Sequence, residues 1–220
     1  MEKSAGVVYV AWGDQYINEA ICSAKSVKQN AKLSTCLLTD KLDNSLNQYF
    51  DIVKFVNFGN IKYHQYMRKW ICLTESPFEI SCYLDTDTFV IQDLSLGIEM
   101  TERYGVSTII ANGMTFHHKN KEYVHYNGGV LFFNSNIGKK IKDEIDNAYI
   151  QVTSEKHVGD EAAISVAFVN LNLNPFVLPS IFNTVRGCIM HDRKIRIWHS
   201  REKPILTKIQ SDQTGNDIAK

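Results

Sequence analysis

Glu79-Ile-Ser-Cys-Tyr-Leu-Asp-Thr-Asp-Thr-Phe-Val90 joins a short apolar run, residues 80–84, to two carboxylates one residue apart, Asp85 and Asp87. Such a run reads as a buried strand, and a buried strand delivers its last residues rigidly to the carboxyl edge of its sheet. Two acids placed there repel each other unless a cation sits between them. The stretch therefore points to an α/β protein holding a divalent metal at a sheet edge.

Outward from this strand, apolar runs alternate with helical periods. Residues 6–11 read as a first strand, with Asp14 as the N-cap of a helix running to about residue 28, because Ile17, Ala20, Ile21, Ala24 and Val27 share one face. Residues 35–39 and 52–56 read as strands with a short helix between them, and residues 63–73 read as helical. This is a βαβ series whose loops gather at one sheet edge, the arrangement that binds nucleotides at strand ends and helix starts. Beyond it, strands are expected at 106–110, 130–133, 176–178 and 195–198, and helices at 139–149 and 160–169. The polar stretch 112–126 reads as a mobile loop facing a second substrate. Adjacent His117 and His118 point to opposite sides of an extended chain, so they make a poor shared metal site.

Length and composition bound the function. The chain has 220 residues, 44% of them hydrophobic, enough for one sizeable core. It reads as one domain with a loose polar tail at 205–220. With 24 basic and 24 acidic residues it lacks the charge excess of a nucleic-acid binder. Five cysteines without C-x-x-C spacing favour buried reduced thiols over a disulfide framework or a zinc site. Neither a secretory leader nor an apolar stretch of the ~20 residues that span a bilayer is read in the chain, and a cytoplasmic location is expected.

An isolated D-x-D admits three readings: a turn cap after a strand, the nucleophile loop of aspartyl phosphatases, or the metal-holding motif of enzymes that use nucleotide sugars. Phe89 stands where the phosphatase loop has Thr, and the motif lies far from the amino terminus.

Read in order, the motifs resemble those of metal-dependent glycosyltransferases of the A-type fold, most closely the glycogenin-like family 8. The opening, Gly13-Asp-Gln-Tyr-Ile-Asn-Glu-Ala20, resembles the family segment whose Tyr lies against the nucleotide base. Arg68-Lys69-Trp70 is similar to its basic segment near the donor. Tyr83-Leu-Asp-Thr-Asp-Thr-Phe-Val90 matches its metal motif, and Tyr126-Asn-Gly-Gly-Val-Leu-Phe-Phe-Asn134 its strand beside the transferred sugar. Gly159-Asp-Glu-Ala162 resembles a motif whose Asp contacts that sugar, with Glu161 in place of the usual Gln. The stretch from His199 to Pro204 resembles the closing His…Lys-Pro motif, although His199 and Lys203 are only four apart and Ile205 replaces a common aromatic.

The resemblance implies a single-domain A-type fold with a mixed central sheet, a Rossmann-like nucleotide-binding half over about 1–92 and a sugar or acceptor half over about 93–204. It places Asp85, Asp87 and His199 on the metal, and Ala11, Tyr16, Arg68, Thr86 and Lys203 beside a UDP-sugar donor. Asp160, Asn127 and Gly128 fall beside the reacting sugar. It further implies a glycan or glycoprotein acceptor and retention of anomeric configuration. The chemistry agrees: breaking a sugar–diphosphate bond leaves charge on the diphosphate that a divalent ion stabilises, and a His added to two carboxylates tilts the preference to Mn2+ over Mg2+. The Lys203 ammonium would face the departing phosphate and the planar Arg68 guanidinium phosphate or sugar hydroxyls, whereas Lys69 reads equally as a solvated cation. Gly128 and Gly129 let the backbone approach a ring closely, or mark a β-bulge. Two alternatives stay open. A sugar-nucleotide pyrophosphorylase shares the fold and metal, but its Gly-rich basic loop is missing after the first strand, where Ala11-Trp-Gly-Asp-Gln15 stands. A non-catalytic nucleotide-sugar binding module would not need both acids and His199.

Overall fold

The computed structural model describes residues 4–60, 65–153, 159–185 and 195–201. Strand β1 (Ala5–Ala11) leads into helix α1 (Gly13–Asn30), followed by β2 (Ser34–Thr39), β3 (Ile52–Phe55), α2 (Cys72–Glu75), β4 (Ile80–Leu84) and β5 (Thr88–Val90). Then come α3 (Ser95–Tyr104), β6 (Val106–His118), β7 (Lys121–Asn134), α4 (Ser135–Thr153), α5 (Asp160–Asn170), β8 (Phe176–Val177), β9 (Thr184–Val185) and β10 (Ile197–His199). Seven strands form one mixed sheet in the order β3-β2-β1-β4-β7-β6-β8. Neighbours from β3 to β4 are parallel, whereas β7 runs antiparallel to both β4 and β6.

Side-chain alternation along these strands sorts the core into two layers. Val8, Val10, Tyr83, Leu131 and Phe133 face one side and pack with α4 and α5. Val7, Tyr9, Ala11, Leu84 and Phe132 face the other and pack with α1. Because both faces are covered, β1 and β4 carry apolar residues with little polar alternation, as parallel strands do. Helix α5 is buried almost all round, from Ala162 to Phe168, and packs against α4 and β7.

Several expectations are corrected. Residues 112–126 are not a loop: β6 and β7 continue through them as a hairpin whose turn, Lys119-Asn120, has positive φ at both residues, 47° and 59°. That is the turn whose twist suits a two-residue hairpin. His117 is exposed and His118 buried, on opposite sides as expected. Helix α3, unread in the sequence, closes on Gly105 at φ 82°. Residues 65–71 form a 3₁₀ segment and only α2 is α-helical; the expected short helix after β2 is a 3₁₀ turn, Asn44–Gln48, capped by Asp43, whose side chain accepts from Ser45 N. Asp14 is not the cap of α1. Trp12 holds that place without a side-chain bond, and Asp14 in the first turn pairs with Lys41 at 3.1 Å. The last strand, expected at 195–198, starts two residues and ends one residue later. Cys36, Cys72 and Cys82 are buried free thiols and Cys22 is partly buried, while Cys188 lies outside the described residues. No helix among the described residues is long and apolar enough to cross a membrane.

Candidate metal and donor site

The chain steps outward from β1 through β2 to β3, then crosses back to β4 on the other side of β1. Such a switch in strand order opens a crevice at the carboxyl ends of the two central strands, where α/β sheets bind ligands. Ala11 and Trp12 stand at one lip of that crevice and Asp85 to Asp87 at the other.

His199 comes from the small second sheet, ordered β5-β10-β9. There it lies opposite Thr88, and Ser200 N donates to Asp87 O at 3.0 Å, which clamps β10 to the turn after β4. His199 Nε2 lies 3.2 Å from Asp87 Oδ1 and 3.8 Å from Asp85 Oδ2. One ligand atom from each of Asp85, Asp87 and His199 fits within 4.8 Å of the others. Asn183 Oδ1 accepts a hydrogen bond from His199 Nδ1 at 2.7 Å, which fixes the ring with Nε2 turned towards the acids. Burial pushes the His199 imidazole down, but hydrogen bonding to Asp87 and the charges of both acids outweigh it and hold it above its ordinary value. For Asp87 burial is the largest influence and raises the carboxyl, yet the contact with His199 leaves it below its ordinary value. Two carboxylates and an imidazole converging in this way fit a divalent ion with mixed oxygen and nitrogen ligands.

The turn is fixed from beneath. Asp85 N donates to Gly129 O at 2.8 Å, and Thr88 Oγ1 donates to Asp85 O at 2.8 Å. Thr88 continues into a buried hydroxyl chain through Ser23 to Tyr9. Tyr83 donates to Asp85 Oδ1 at 2.6 Å. Its burial, reinforced by the neighbouring Asp85 charge, keeps that phenol protonated well above its usual range.

Lys69 is the main departure from the sequence reading. It is not a solvated cation: its ammonium is buried, 2.5 Å from Asp160 Oδ2 and 3.5 Å from Asp85 Oδ1. Burial opposes its charge, but Asp85 and Asp160 hold the ammonium above its ordinary value. The available signal was its setting between Met67, Trp70 and Leu73, all buried. Asp160 is the first residue of α5 and not its cap, a place taken by Gly159.

Asn127, Gly128 and Gly129 form a bulge in β7. Between the pairs Thr108↔Leu131 and Ile110↔Tyr126, residues 127–130 of β7 face the single residue 109 of β6. The Asn127 side chain is committed to this bulge, accepting from Gly129 N and Val130 N and donating to Glu161 Oε1 at 2.9 Å. Glu161 also accepts from Gly128 N. A side chain on Gly128 would strike Asp160, and one on Gly129 would lie 2.5 Å from His199 Cε1 and 2.7 Å from Asp85 Oδ2. Both glycines are therefore required by close approach.

An open cleft enclosing about 650 Å³ runs along this edge, with Trp12, Tyr16, Lys69, Asp85, Thr86 and Asp87 among its walls. Tyr16 leans on Trp12 with ring centres 5.4 Å apart, and Thr86 donates to Glu19 at 2.9 Å. Glu19 and Arg201, unread in the sequence, also line it. Ala11 is fully buried at the end of β1 and does not line the cleft. Arg68 does not line the cleft; its guanidinium lies over the Trp12 ring at 5.3 Å, where it braces that wall. Lys203 and the tail at 205–220 lie outside the described residues.

No family model and no curated protein matches the sequence. Solved structures do match. The chain is similar to an active-site Gln-to-Glu mutant of LgtC, with 16% identity, a TM-score of 0.63 and 95% of each chain covered. It is also similar to the glycosyltransferase GlyE of Streptococcus pneumoniae TIGR4, with 16% identity and a TM-score of 0.66 over 89% of this chain, and to the apo form of GlyE with 18% identity. The chain spans about half the length of GlyE, 55% and 54% in the two structures. At this identity the likeness is one of fold, and that fold is the mixed-sheet, A-type glycosyltransferase fold.

Proposed function

We infer that the protein is a metal-dependent glycosyltransferase that moves a sugar from a nucleotide diphosphate, UDP in the first instance, to a glycan or glycoprotein acceptor with retention of configuration. The observation that carries this reading is the convergence of Asp85, Asp87 and His199 at the strand-order switch, where the two acids share a cleft with Tyr16 and lie next to the Lys69–Asp160 pair. A divalent ion bound by those three ligands would supply Lewis-acid stabilisation of the charge that develops on the diphosphate.

The chain's own groups do the rest. Tyr16, propped by Trp12, offers a face for the base. Lys69 places a desolvated positive charge between the phosphate end of the cleft and the sugar, where it is worth more than in water. Asp160 meets the sugar hydroxyls from the start of α5, and the bulge at Gly128 and Gly129 leaves room for the ring. In the reaction, the bond from the anomeric carbon to the diphosphate oxygen breaks with its electron pair leaving on the diphosphate. A bond from the anomeric carbon to the acceptor oxygen forms as that hydroxyl passes its proton to the departing diphosphate.

Incubation with Mn2+ and a panel of UDP- and GDP-sugars, followed by measurement of released nucleotide, tests the reading. UDP-sugars should be turned over, chelator should stop the turnover, and Asp87→Asn should weaken Mn2+ binding by at least about tenfold in a folded protein. Asp160→Asn should keep UDP binding and lose turnover. Full activity of Asp87→Asn in chelator would overturn the metal-dependent assignment.

A further inference from the structure

Helix α1 turns one polar stripe towards the segment 86–90, which holds the end of the metal turn and β5. Residues 16, 19, 23, 26 and 30 recur three and four apart, which puts them on one helix face. Three of them are spent on β5: Ser23 shares a hydrogen bond of 3.0 Å with Thr88, Ser26 Oγ accepts from Val90 N at 2.9 Å, and Asn30 Nδ2 donates to Val90 O at 2.8 Å. The other two, Tyr16 and Glu19, line the donor cleft instead. Glu19 Oε2 accepts at 2.9 Å from the hydroxyl of Thr86, the residue between the two acids. The stripe therefore leads from Tyr16 through Glu19 to the metal turn.

A bond to Thr86 does not by itself call for a carboxylate, because Ser23 bonds Thr88 with a neutral hydroxyl. A carboxylate accepts about four hydrogen bonds. Thr86 takes one at Oε2 and Gln15 Nε2 one at Oε1, 3.3 Å away, while Arg201 Nε at 4.0 Å is too far to take another. Acceptor positions are left over on a side chain that is 22% exposed at the cleft wall. Of the parts of a nucleotide, the phosphates bring acceptors, a base edge brings a mixed set, and the ribose brings two neighbouring O–H donors. A group that only accepts is matched to the ribose. Its place agrees. With the base on Tyr16 and the diphosphate at Asp85 and Asp87, the ribose lies between them, and Glu19 stands on that line one helical turn after Tyr16.

We propose that Glu19 is a specificity-determining residue of the donor site, and that it holds the ribose diol so that the chain selects ribonucleotides over deoxyribonucleotides. The proposal rests on the nucleotide-donor reading and adds to it which pentose the nucleotide must carry and which side chain reads it. Glu19 also ties that recognition to the metal turn, because the carboxylate that meets the ribose holds Thr86 between the metal ligands.

The test uses the whole chain with Mn2+, titrated in a calorimeter with UDP, 2′-deoxy-UDP and 3′-deoxy-UDP. The wild type should bind UDP at least about tenfold more tightly than at least one deoxy analogue, the scale of a hydrogen bond to a charged group. Glu19→Gln keeps an acceptor for Thr86. It should weaken UDP binding about tenfold and leave the affinity for that deoxy analogue within about threefold, which nearly erases the preference. Mn2+ affinity in the absence of nucleotide, read by electron paramagnetic resonance, should stay within about threefold of the wild type. A merely structural Glu19 would lower Mn2+ affinity and the unfolding midpoint together and leave the preference intact, and that result would overturn the proposal. So would a wild type that binds all three nucleotides alike, a comparison that needs no variant and stands even where Glu19→Gln fails to fold. Failure of the wild type to bind UDP with Mn2+ would sink the donor reading and this assignment with it, whereas UDP binding without discrimination would sink the ribose assignment alone.

Discussion

Gly129→Ala should disable the metal site without touching a ligand. A Cβ built on Gly129 lies 2.5 Å from His199 Cε1 and 2.7 Å from Asp85 Oδ2, and ordinary contact begins at 3.4 Å, so the imidazole must retreat by about 0.9 Å. The backbone cannot yield instead. Gly129 N donates to Asn127 Oδ1 at 2.9 Å, and Gly129 O accepts from Asp85 N at 2.8 Å. Nor is His199 free to turn, held by Asn183 on one side and by the pairing of β10 with β5. Metal sites tolerate ligand shifts of roughly 0.2 Å, so a displacement several times larger should cost about one to two orders of magnitude in Mn2+ affinity. The overpacking itself should cost about 1–3 kcal/mol of stability. Mn2+ titration followed by electron paramagnetic resonance, beside urea unfolding, measures both quantities. Gly128→Ala is the internal control: its Cβ strikes Asp160 and crowds Lys69, so it should lower turnover while changing Mn2+ affinity much less. If folded Gly129→Ala bound Mn2+ as tightly as the wild type, the reasoning from close approach would be refuted.

Three further outcomes follow from the same geometry. Lys69→Met strands Asp85 and Asp160 without their cation and should cost about 3–5 kcal/mol in urea unfolding, partly recovered when Mn2+ is present; unchanged stability would show that the pair is idle. Tyr16→Ala removes a face worth about 1–3 kcal/mol by analogy with base stacking, so calorimetry should show UDP binding weakened about tenfold or more, and unchanged affinity would move the base elsewhere. Asp51 is opposed most by partial burial but is held below its ordinary value by Thr35 and Lys28, so its contribution is present above the unfolded carboxyl value near ~3.9 and is lost as pH falls through the folded one. Because the Asp51 side chain is 45% exposed, solvent screening should keep the stability deficit of Asp51→Asn below about 1 kcal/mol at pH 7; the deficit should shrink as the pH falls through the folded value, and a deficit independent of pH would contradict this assignment.

The parallel half of the sheet was legible because a strand covered on both faces leaves a continuous apolar run, as residues 6–11 and 80–84 do. Helix α1 was legible because its buried positions recur with a helical period. The β6–β7 hairpin was not. Its arms mix polar and aromatic residues because one side faces solvent, and its turn is Lys119-Asn120 with no glycine, although both residues adopt positive φ. Helix α3 was missed for a related reason: Gly97 sits in its interior against Phe132, a close approach that propensity alone counts against a helix.

The candidate site shows a sharper division between what local spacing encodes and what only topology supplies. Asp85 and Asp87 share one turn, so two residues suffice to suggest a cation. Lys69 looked like one half of a surface Arg-Lys pair because its partners are sixteen and ninety-one positions away in the chain. Asn183, which orients His199, carries no signal in its own neighbourhood at all. Asn127 and Glu161 likewise acquire meaning only when the β7 bulge meets the first turn of α5, where one carboxylate ties the Asn-Gly-Gly backbone to the helix that bears Asp160. Gly129, which must stay bare beside the metal ligands, and Glu161 are both bonded to the Asn127 side chain, and Glu161 is also bonded directly to Gly128 N, so the bulge is held to the first turn of α5 at two points.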